Sequence, residues 1–168
     1  LARLYGYDKI PVQRLSAEAN ISNSLQAKIS SNELSNVLVN KGYKEVITYS
    51  FISNEMHDFI DPKATKILLK NPISDDMAVM RSSLWSGLIQ SAKANIRRGH
   101  HNARFFELGQ CFSGTLVEDQ VQKIAGIICG NRYDSQWGNS DRAVDFFDAK
   151  ADVEAMLALS KNVYAFEE

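Results

Sequence analysis

The clearest periodicity in the chain lies in residues 83–98, where apolar side chains recur at helical spacing. Steps of i, i+4, i+7 and i+11 place one apolar stripe along an α-helix. Serines precede this stripe as candidate caps, and Gly99 follows it as a typical end. The sequence therefore predicts an amphipathic helix, with its stripe formed by Trp85, Ile89, Ala92 and Ile96 and widened by Leu84 and Leu88.

A second helix is predicted over residues 24–41. Ser30 and Glu33 have the spacing of a capping box, and Lys41 followed by Gly42 is typical of a helix end. A single helix over this range is apolar on two sides, which is typical of a helix between two layers. One set is Leu25, Ile29 and Val39; the other is Leu34, Val37 and Leu38.

Residues 45–52 change to a period of two, with Ile47, Tyr49 and Phe51 on one side of the predicted strand. Further strands are predicted at residues 67–69, 104–108, 110–112 and 124–129, and further helices at 54–60 and 144–159. The run 124–129 is apolar on both faces, which predicts a central strand. Helices mixed with hairpin-linked strands predict an α+β fold, an antiparallel sheet flanked by helices.

The last predicted helix, residues 144–159, carries acidic groups near its start. Ala149, Val153 and Met156 are its predicted inner stripe. Asp145 and Asp148 lie where carboxylates stabilise the positive end of a helix. With Asp152 they could also suggest a cation site, but the helix end explains the first two without a metal, and we assign no metal site.

The first and last residues of the chain suggest how it is divided into domains. The chain begins with Leu1 instead of Met and stops after an apolar, strand-like run at residues 163–166. We therefore expect a fragment whose fold is incomplete at the C-terminus. Residues 1–18 are predicted to be the tail of a preceding domain with a linker, and residues 19–168 to form the core.

Charge bears on nucleic-acid binding. The net charge is −1, from 19 basic and 20 acidic residues, whereas a dedicated duplex-binding domain usually carries a basic excess. A local cluster remains, formed by Arg97, Arg98, His100 and His101. These residues are interpreted as a solvated loop after a helix, with an RNA contact as the alternative.

No familiar catalytic pattern is found in the sequence. It contains no phosphate-binding glycine loop, no dinucleotide fingerprint, no zinc-protease helix and no serine-hydrolase elbow. Cys111 and Cys129 are interpreted as reduced thiols, with a disulfide as the alternative. The longest apolar run is far shorter than a membrane helix requires, and we expect a cytoplasmic protein. No catalytic, cofactor-binding or metal residue is assigned.

A family resemblance begins at residues 42–51, GYKEVITYSF, which follow a predicted helix. This arrangement resembles the first signature of class II aminoacyl-tRNA synthetases, although Tyr49 stands where that family usually has proline. Residues 71–74 and 80–84 resemble the next elements, and residues 104–112 resemble the strand and hairpin of the second signature.

Further segments, in the right order, narrow the resemblance to the beta-chain family of bacterial phenylalanyl-tRNA synthetases. These segments are residues 2–11, residues 125–133 with Trp137, and residues 145–148. The resemblance implies a ligase subunit that works with an alpha chain in an (αβ)₂ heterotetramer and serves phenylalanine tRNA. The whole enzyme would use ATP and magnesium, with no cofactor expected in this segment.

The resemblance also implies that this core is not catalytic. Catalytic relatives place an Arg-x-Glu pair on the second signature's strand, whose arginine binds the α-phosphate of ATP. Here Phe105 takes the arginine's place before Glu107, and Arg104 is one residue away, on the opposite face of a strand. The resemblance places the activation of phenylalanine in the alpha chain and proofreading in domains that precede this segment.

We expect this core to support assembly, with Leu25, Ile29 and Val39 as the residues that face the alpha chain. One alternative is an ATP-binding catalytic domain of class II, or a paralogue of one. The other is an RNA-binding module centred on the cluster of residues 97–101.

Overall fold

A computed structural model describes residues 2–12 and 29–160 of the chain. Five α-helices and five β-strands are found in this part. The helices are α1 Ala2–Tyr5, α2 Ser31–Asn40, α3 Asn54–Ile60, α4 Trp85–Arg97 and α5 Phe146–Leu157. The strands are β1 Lys44–Glu45, β2 Phe51–Ile52, β3 Val79–Met80, β4 Ala103–Phe112 and β5 Gln120–Cys129. Short 3₁₀ helices span Tyr7–Lys9, Asp75–Met77, Val117–Asp119 and Ala158–Ser160.

The main sheet has three strands in the order β1-β4-β5. β4 and β5 form an antiparallel hairpin paired over ten residues, from Ala103 opposite Cys129 to Phe112 opposite Gln120. β1 runs parallel to β4, so this sheet is mixed, whereas the sequence predicted an antiparallel one. The separate two-stranded sheet of β2 and β3 is antiparallel.

The sheet lies between helices on both faces. On one face, α4 packs on Ala103, Phe105 and Cys111 of β4 through Leu84, Leu88 and Ala92. On the other face, Phe106 is fully buried beneath Leu38 of α2 and Met156 of α5. Because side chains alternate along a strand, β4 supplies both layers of the core.

Local sequence accounts for the helix ends. The Ser30 hydroxyl accepts from the backbone N–H of Glu33, whose carboxylate accepts from the Ser30 N–H, completing the predicted capping box. Asp145, directly before α5, and Asp148, in its first turn, form the same reciprocal pair. Gly42 follows α2 with a φ of 85°, which glycine adopts without steric cost.

Several predicted elements are confirmed and two are shorter than predicted. The helices predicted at 54–60, 83–98 and 144–159 correspond to α3, α4 and α5, and the strands at 104–112 form a single β4. The helix predicted over 24–41 begins at Ser31, because the capping box of Ser30 and Glu33 forms its N-terminal end. Residues 24–28 lie outside the described part. Of residues 45–52, only Glu45, the second residue of β1, and Phe51–Ile52, which form β2, lie in strands.

The buried faces of three elements differ from the predicted ones. On α4, the core face is Leu88 and Ala92, following Leu84, while Trp85 and Ile96 are partly exposed. On α5, Val153 is partly exposed and the buried residues are acidic, as described below. The predicted central strand, β5, pairs with β4 alone among the described residues, and β4 is central.

The boundary predicted between residues 18 and 19 lies outside the described residues. The two-domain division therefore stays a prediction. Residues 2–12 form α1 and a 3₁₀ turn, and Leu4 and Val12 are exposed there.

Candidate functional site

The segment of residues 46–50 continues from β1 along the side of β4. The backbone N–H of Val46 donates to the backbone oxygen of Phe106 at 2.9 Å. Ile47 is 92% exposed and Tyr49 is 71% exposed, while Thr48 between them points inward. At Ile47 and Tyr49 the apolar side of the predicted strand therefore faces outward, while the polar Thr48 is half-buried against the protein.

A buried ion pair holds Thr48 in this orientation. Nη1 of Arg81 lies 2.6 Å from Oε1 of Glu107 and donates to the Thr48 hydroxyl at 3.0 Å. The Thr48 hydroxyl donates to the other carboxylate oxygen of Glu107 at 2.7 Å. Nε of Arg81 donates to the backbone oxygen of Gln110. The cluster of Arg81, Glu107 and Thr48 thus joins the start of α4 to β4 and to the segment of residues 46–50.

Two glycines make room for this cluster. A Cβ on Gly87 would lie 2.6 Å from the Cβ of Thr48, so α4 approaches residues 46–50 closely. A Cβ on Gly109 would meet the guanidinium of Arg81 and lie 3.1 Å from Leu84. Sequence patterns did not identify the role of Arg81. The sequence signal that could have identified it is that Arg81 is a charged residue between the apolar Val79 and the apolar stripe of α4.

Arg104 and Phe105 point to opposite faces of β4, as predicted. Phe105 is buried in the α4 layer on the same face as Glu107. Arg104 lies in the other layer, with its guanidinium 5.8 Å from the ring centre of Tyr43 and 3.6 Å from the carboxylate of Asp152.

Asp152 is the buried centre of a second cluster, on the inner face of α5. Its carboxylate accepts from the Tyr43 hydroxyl at 2.9 Å and lies 3.4 Å from Nζ of Lys41. Burial, with the hydrogen bond to this carboxylate, raises the pKa of the Tyr43 hydroxyl far above its ordinary value. One turn earlier, the buried carboxylate of Asp148 accepts from Arg132 and Arg142. Salt bridges thus explain why acidic residues form the inner side of α5.

Next to this cluster lies an open cleft of about 620 Å³. Its walls are formed by the end of α2, β1, the end of α4, the start of β4 and the loop after β5. Four cationic side chains, a histidine and two carboxylates line it: Lys41, Lys44, Arg104, Arg132, His100, Asp134 and Asp152. The cleft therefore concentrates positive charge next to a concave surface.

The four residues predicted as RNA contacts do not form one site. Arg97, Arg98, His100 and His101 are all exposed at and after the end of α4, but His100 alone among them lines the cleft. Their contact with RNA remains a prediction.

The residues predicted to face a partner chain are also separated. Leu25 lies outside the described residues, and Ile29 is half-buried and precedes α2, so it does not share a helical face with Val39. Val39 is 52% exposed. Ile47 and Tyr49 are exposed, which the sequence pattern does not predict, since alternation alone does not tell which side of a strand is covered.

The described residues offer neither a metal cluster nor a membrane span. Within residues 2–12 and 29–160, no group of three or more His, Cys, Asp or Glu side chains is placed to hold a metal ion. No helix in that same part is long and apolar enough to cross a bilayer. Cys111 and Cys129 are free thiols at separate points of the hairpin.

The described part of the chain is an α+β fold, a small mixed sheet flanked by helices. It resembles the solved structure of PylSc, a pyrrolysyl tRNA synthetase of Desulfitobacterium hafniense, with a TM-score of 0.54 and 15% identity. The match covers 81% of this chain and 45% of that one. This likeness concerns the fold alone.

Sequence similarity identifies the particular family. Residues 10–168 match the family model for the phenylalanyl tRNA synthetase beta chain CLM domain, and the chain belongs to this family. It is 41% identical over 162 residues to the phenylalanine–tRNA ligase beta subunit of Coxiella burnetii, covering 96% of this chain and 20% of the relative. The phenylalanine–tRNA ligase beta subunit of Nitrosococcus oceani is 43% identical over 170 residues, and the match covers 99% of this chain and 21% of that relative. The chain thus spans about a fifth of the length of these relatives, and the predicted family is confirmed.

Proposed function

We propose that this chain is a non-catalytic core of a phenylalanine–tRNA ligase beta subunit, and that it serves assembly with the alpha chain. The relatives that it matches over nearly its whole length are named as beta subunits of that ligase. The whole enzyme attaches phenylalanine to its tRNA in the cytoplasm as an (αβ)₂ heterotetramer. ATP and magnesium act in the alpha chain.

The exposed side chains of Ile47 and Tyr49 are the observation that carries the proposal. They project from the segment of residues 46–50, while the polar Thr48 is turned inward and held by Arg81 and Glu107. The inward face is fixed by a buried ion pair, so the apolar face has no alternative orientation. Covering two such side chains in a partner's interface removes apolar surface from water and favours association.

The non-catalytic role is supported by the α4 face of β4. Phe105 is packed into the core there, and the charge of Glu107 is already matched by Arg81. A triphosphate requires cationic groups that point into an open site. The guanidinium of Arg104, on the opposite face, is held by Asp152 and by backbone oxygens. We therefore expect no ATP binding by this core.

The assembly role is tested by changing one apolar side chain to a charge. In the full-length protein that carries this sequence, Ile47→Asp is expected to weaken association with a phenylalanine–tRNA ligase alpha chain by about 30-fold or more, the loss typical of an interface hot spot. Ile73→Asp is the matched control, since Ile73 is 87% exposed against 92% for Ile47. Association is measured by size-exclusion chromatography with light scattering.

Equal effects of Ile47→Asp and Ile73→Asp, with unchanged thermal melting, would refute this interface. Val39→Asp and Ile29→Asp test the surface predicted from the helical pattern in the same assay. An isothermal titration with ATP and magnesium distinguishes the catalytic alternative. Saturable ATP binding that survives both removal of the alpha chain and Lys44→Glu, a change in the open cleft, would mean that an active site is present in this core.

A further inference from the structure

The charged cleft beside β1 combines three features that suit a nucleic acid. The first is its charge: four cations against two carboxylates, in a chain whose overall charge is −1. Four of the 19 lysines and arginines of the chain thus line this one cleft. Such a local concentration favours phosphate contact at one place without general affinity for polyanions.

The basic side chains of the cleft are of two kinds. Arg104 is held by the backbone oxygens of Lys41 and Arg132 and by Asp152, and Arg132 is held by Asp148. These guanidinium groups are fixed in place by the fold. Lys44 and His100 are exposed and form no ion pair with other described residues. They are the groups available to an incoming phosphate.

An aromatic ring at the edge of the cleft is the second feature. Tyr133 is 50% exposed, and the guanidinium of Arg132 lies 5.4 Å from its ring centre. Nε of Arg132 donates to the Tyr133 hydroxyl, which fixes the ring. The ring is thus held in place with one part open to solvent, as a stacking surface requires. Trp137, four residues further along the same loop, is fully exposed.

The third feature is a set of neutral hydrogen-bonding groups. Asn95, Asn102, Asn131 and Gln136 line the cleft. Asn95 and Asn102 donate within the protein, to the Ser91 backbone oxygen and to Asp134, whereas the side-chain amides of Asn131 and Gln136 form no hydrogen bond with other described residues. Amides donate to and accept from base edges. A volume of about 620 Å³ exceeds what one phosphate ion fills, so the cleft has space for a nucleotide and its neighbour.

We propose that this cleft binds a single-stranded segment of RNA, with a backbone phosphate between Lys44 and His100 and the adjacent base stacked on Tyr133. The proposal goes beyond assembly with the alpha chain and does not depend on it. It also relocates the RNA contact predicted from the sequence: of those four residues, His100 belongs to the site, and the cations of the cleft come from the end of α2, from β1, from β4 and from the loop after β5.

The test is ultraviolet cross-linking of a short uridine-rich RNA to the full-length protein that carries this sequence, with mass spectrometry to locate the linked peptide. We expect a cross-link in the peptide that contains Tyr133 and Trp137. Lys44→Glu should reduce its yield about tenfold and lower the salt slope of RNA binding by about 1. Lys70→Glu is the matched control, an exposed lysine outside the cleft with the same change of charge.

Tyr133→Leu separates stacking from charge. It should weaken binding on the order of tenfold while leaving the salt slope unchanged, because no phosphate contact is lost. The proposal is overturned if the cross-link is absent from this loop, or if Lys44→Glu and Lys70→Glu have equal effects. Competition by inorganic phosphate as strong as by RNA would mean a small-anion site instead.

Association with the alpha chain is measured on the same variants. Lys44→Glu should leave it unchanged, because Lys44 lines the cleft whereas Ile47 and Tyr49 do not. A loss of assembly with no change in RNA cross-linking would overturn the RNA site and leave the interface proposal to its own test.

Discussion

The charge of Glu107 lies beneath α4, and the change Glu107→Gln tests how much this charge contributes to stability. The side chains of Arg81 and Glu107 are 4% and 3% exposed, and their nearest atoms are 2.6 Å apart. Glutamine has nearly the same shape as glutamate, so packing is preserved. What changes is that Arg81 becomes a buried cation with no carboxylate beside it.

The expected magnitude follows from that burial. Breaking a buried ion pair by removing one partner costs about 3–5 kcal/mol. The glutamine oxygen still accepts one hydrogen bond and Gln110 still accepts from Arg81, so we expect the lower end, about 3 kcal/mol. In a chain of this size that lowers the melting temperature by about 6–12 °C.

Urea denaturation followed by circular dichroism measures the loss of unfolding free energy. Glu45→Gln is the control, because Glu45 is exposed on β1 and surface substitutions change stability by about 0.5 kcal/mol or less. A double-mutant cycle with Arg81→Met then isolates the pair. We expect the double variant to be less destabilised than the sum of the single variants by about 2 kcal/mol.

Two results would refute this reasoning. The first is a cost of Glu107→Gln no larger than that of Glu45→Gln, which would mean that water reaches the pair. The second is additivity of the two single changes within about 0.5 kcal/mol, since residues that share an ion pair couple more strongly than that.

Two further predictions concern the packing of α4 and the hydroxyl of Tyr43. Gly87→Ala should destabilise the fold by about 1–3 kcal/mol in chemical denaturation, because the added Cβ would overlap Thr48. Gly126→Ala is the control, because a Cβ there makes ordinary contacts. Equal effects of the two changes would contradict the prediction. The pKa of the Tyr43 hydroxyl is raised in the folded protein. The contribution of this hydroxyl to stability is therefore complete below the pKa of about 10 that tyrosine has in the unfolded chain. The contribution is lost progressively as pH rises above that value. The stability difference between wild type and Tyr43→Phe should therefore shrink above this pH, and a constant difference would show that the hydroxyl is not protected by Asp152.

Sequence alone was sufficient where structure depends on near neighbours. The capping box of Ser30 and Glu33, the acidic start of α5 and the helix α4 follow from residues a few positions apart, although the sequence pattern placed the start of α2 too early. The opposite orientation of Arg104 and Phe105 follows from alternation along a strand. The family resemblance also lies in the order of sequence segments, so it does not depend on tertiary contacts.

The tertiary structure decided which faces are covered and which charges meet. Arg81 and Glu107 are separated by 26 residues, and only the placement of α4 over β4 brings them together. The same packing turns Thr48 inward and leaves Ile47 exposed. This is the reverse of the usual arrangement, in which the polar side of a strand faces solvent and the apolar side is covered. On α5, Asp148 and Asp152 are buried because arginines from other segments reach them. A periodic pattern specifies which residues share a face, but the covering of that face depends on residues distant in the sequence, and local propensity carries no information about them.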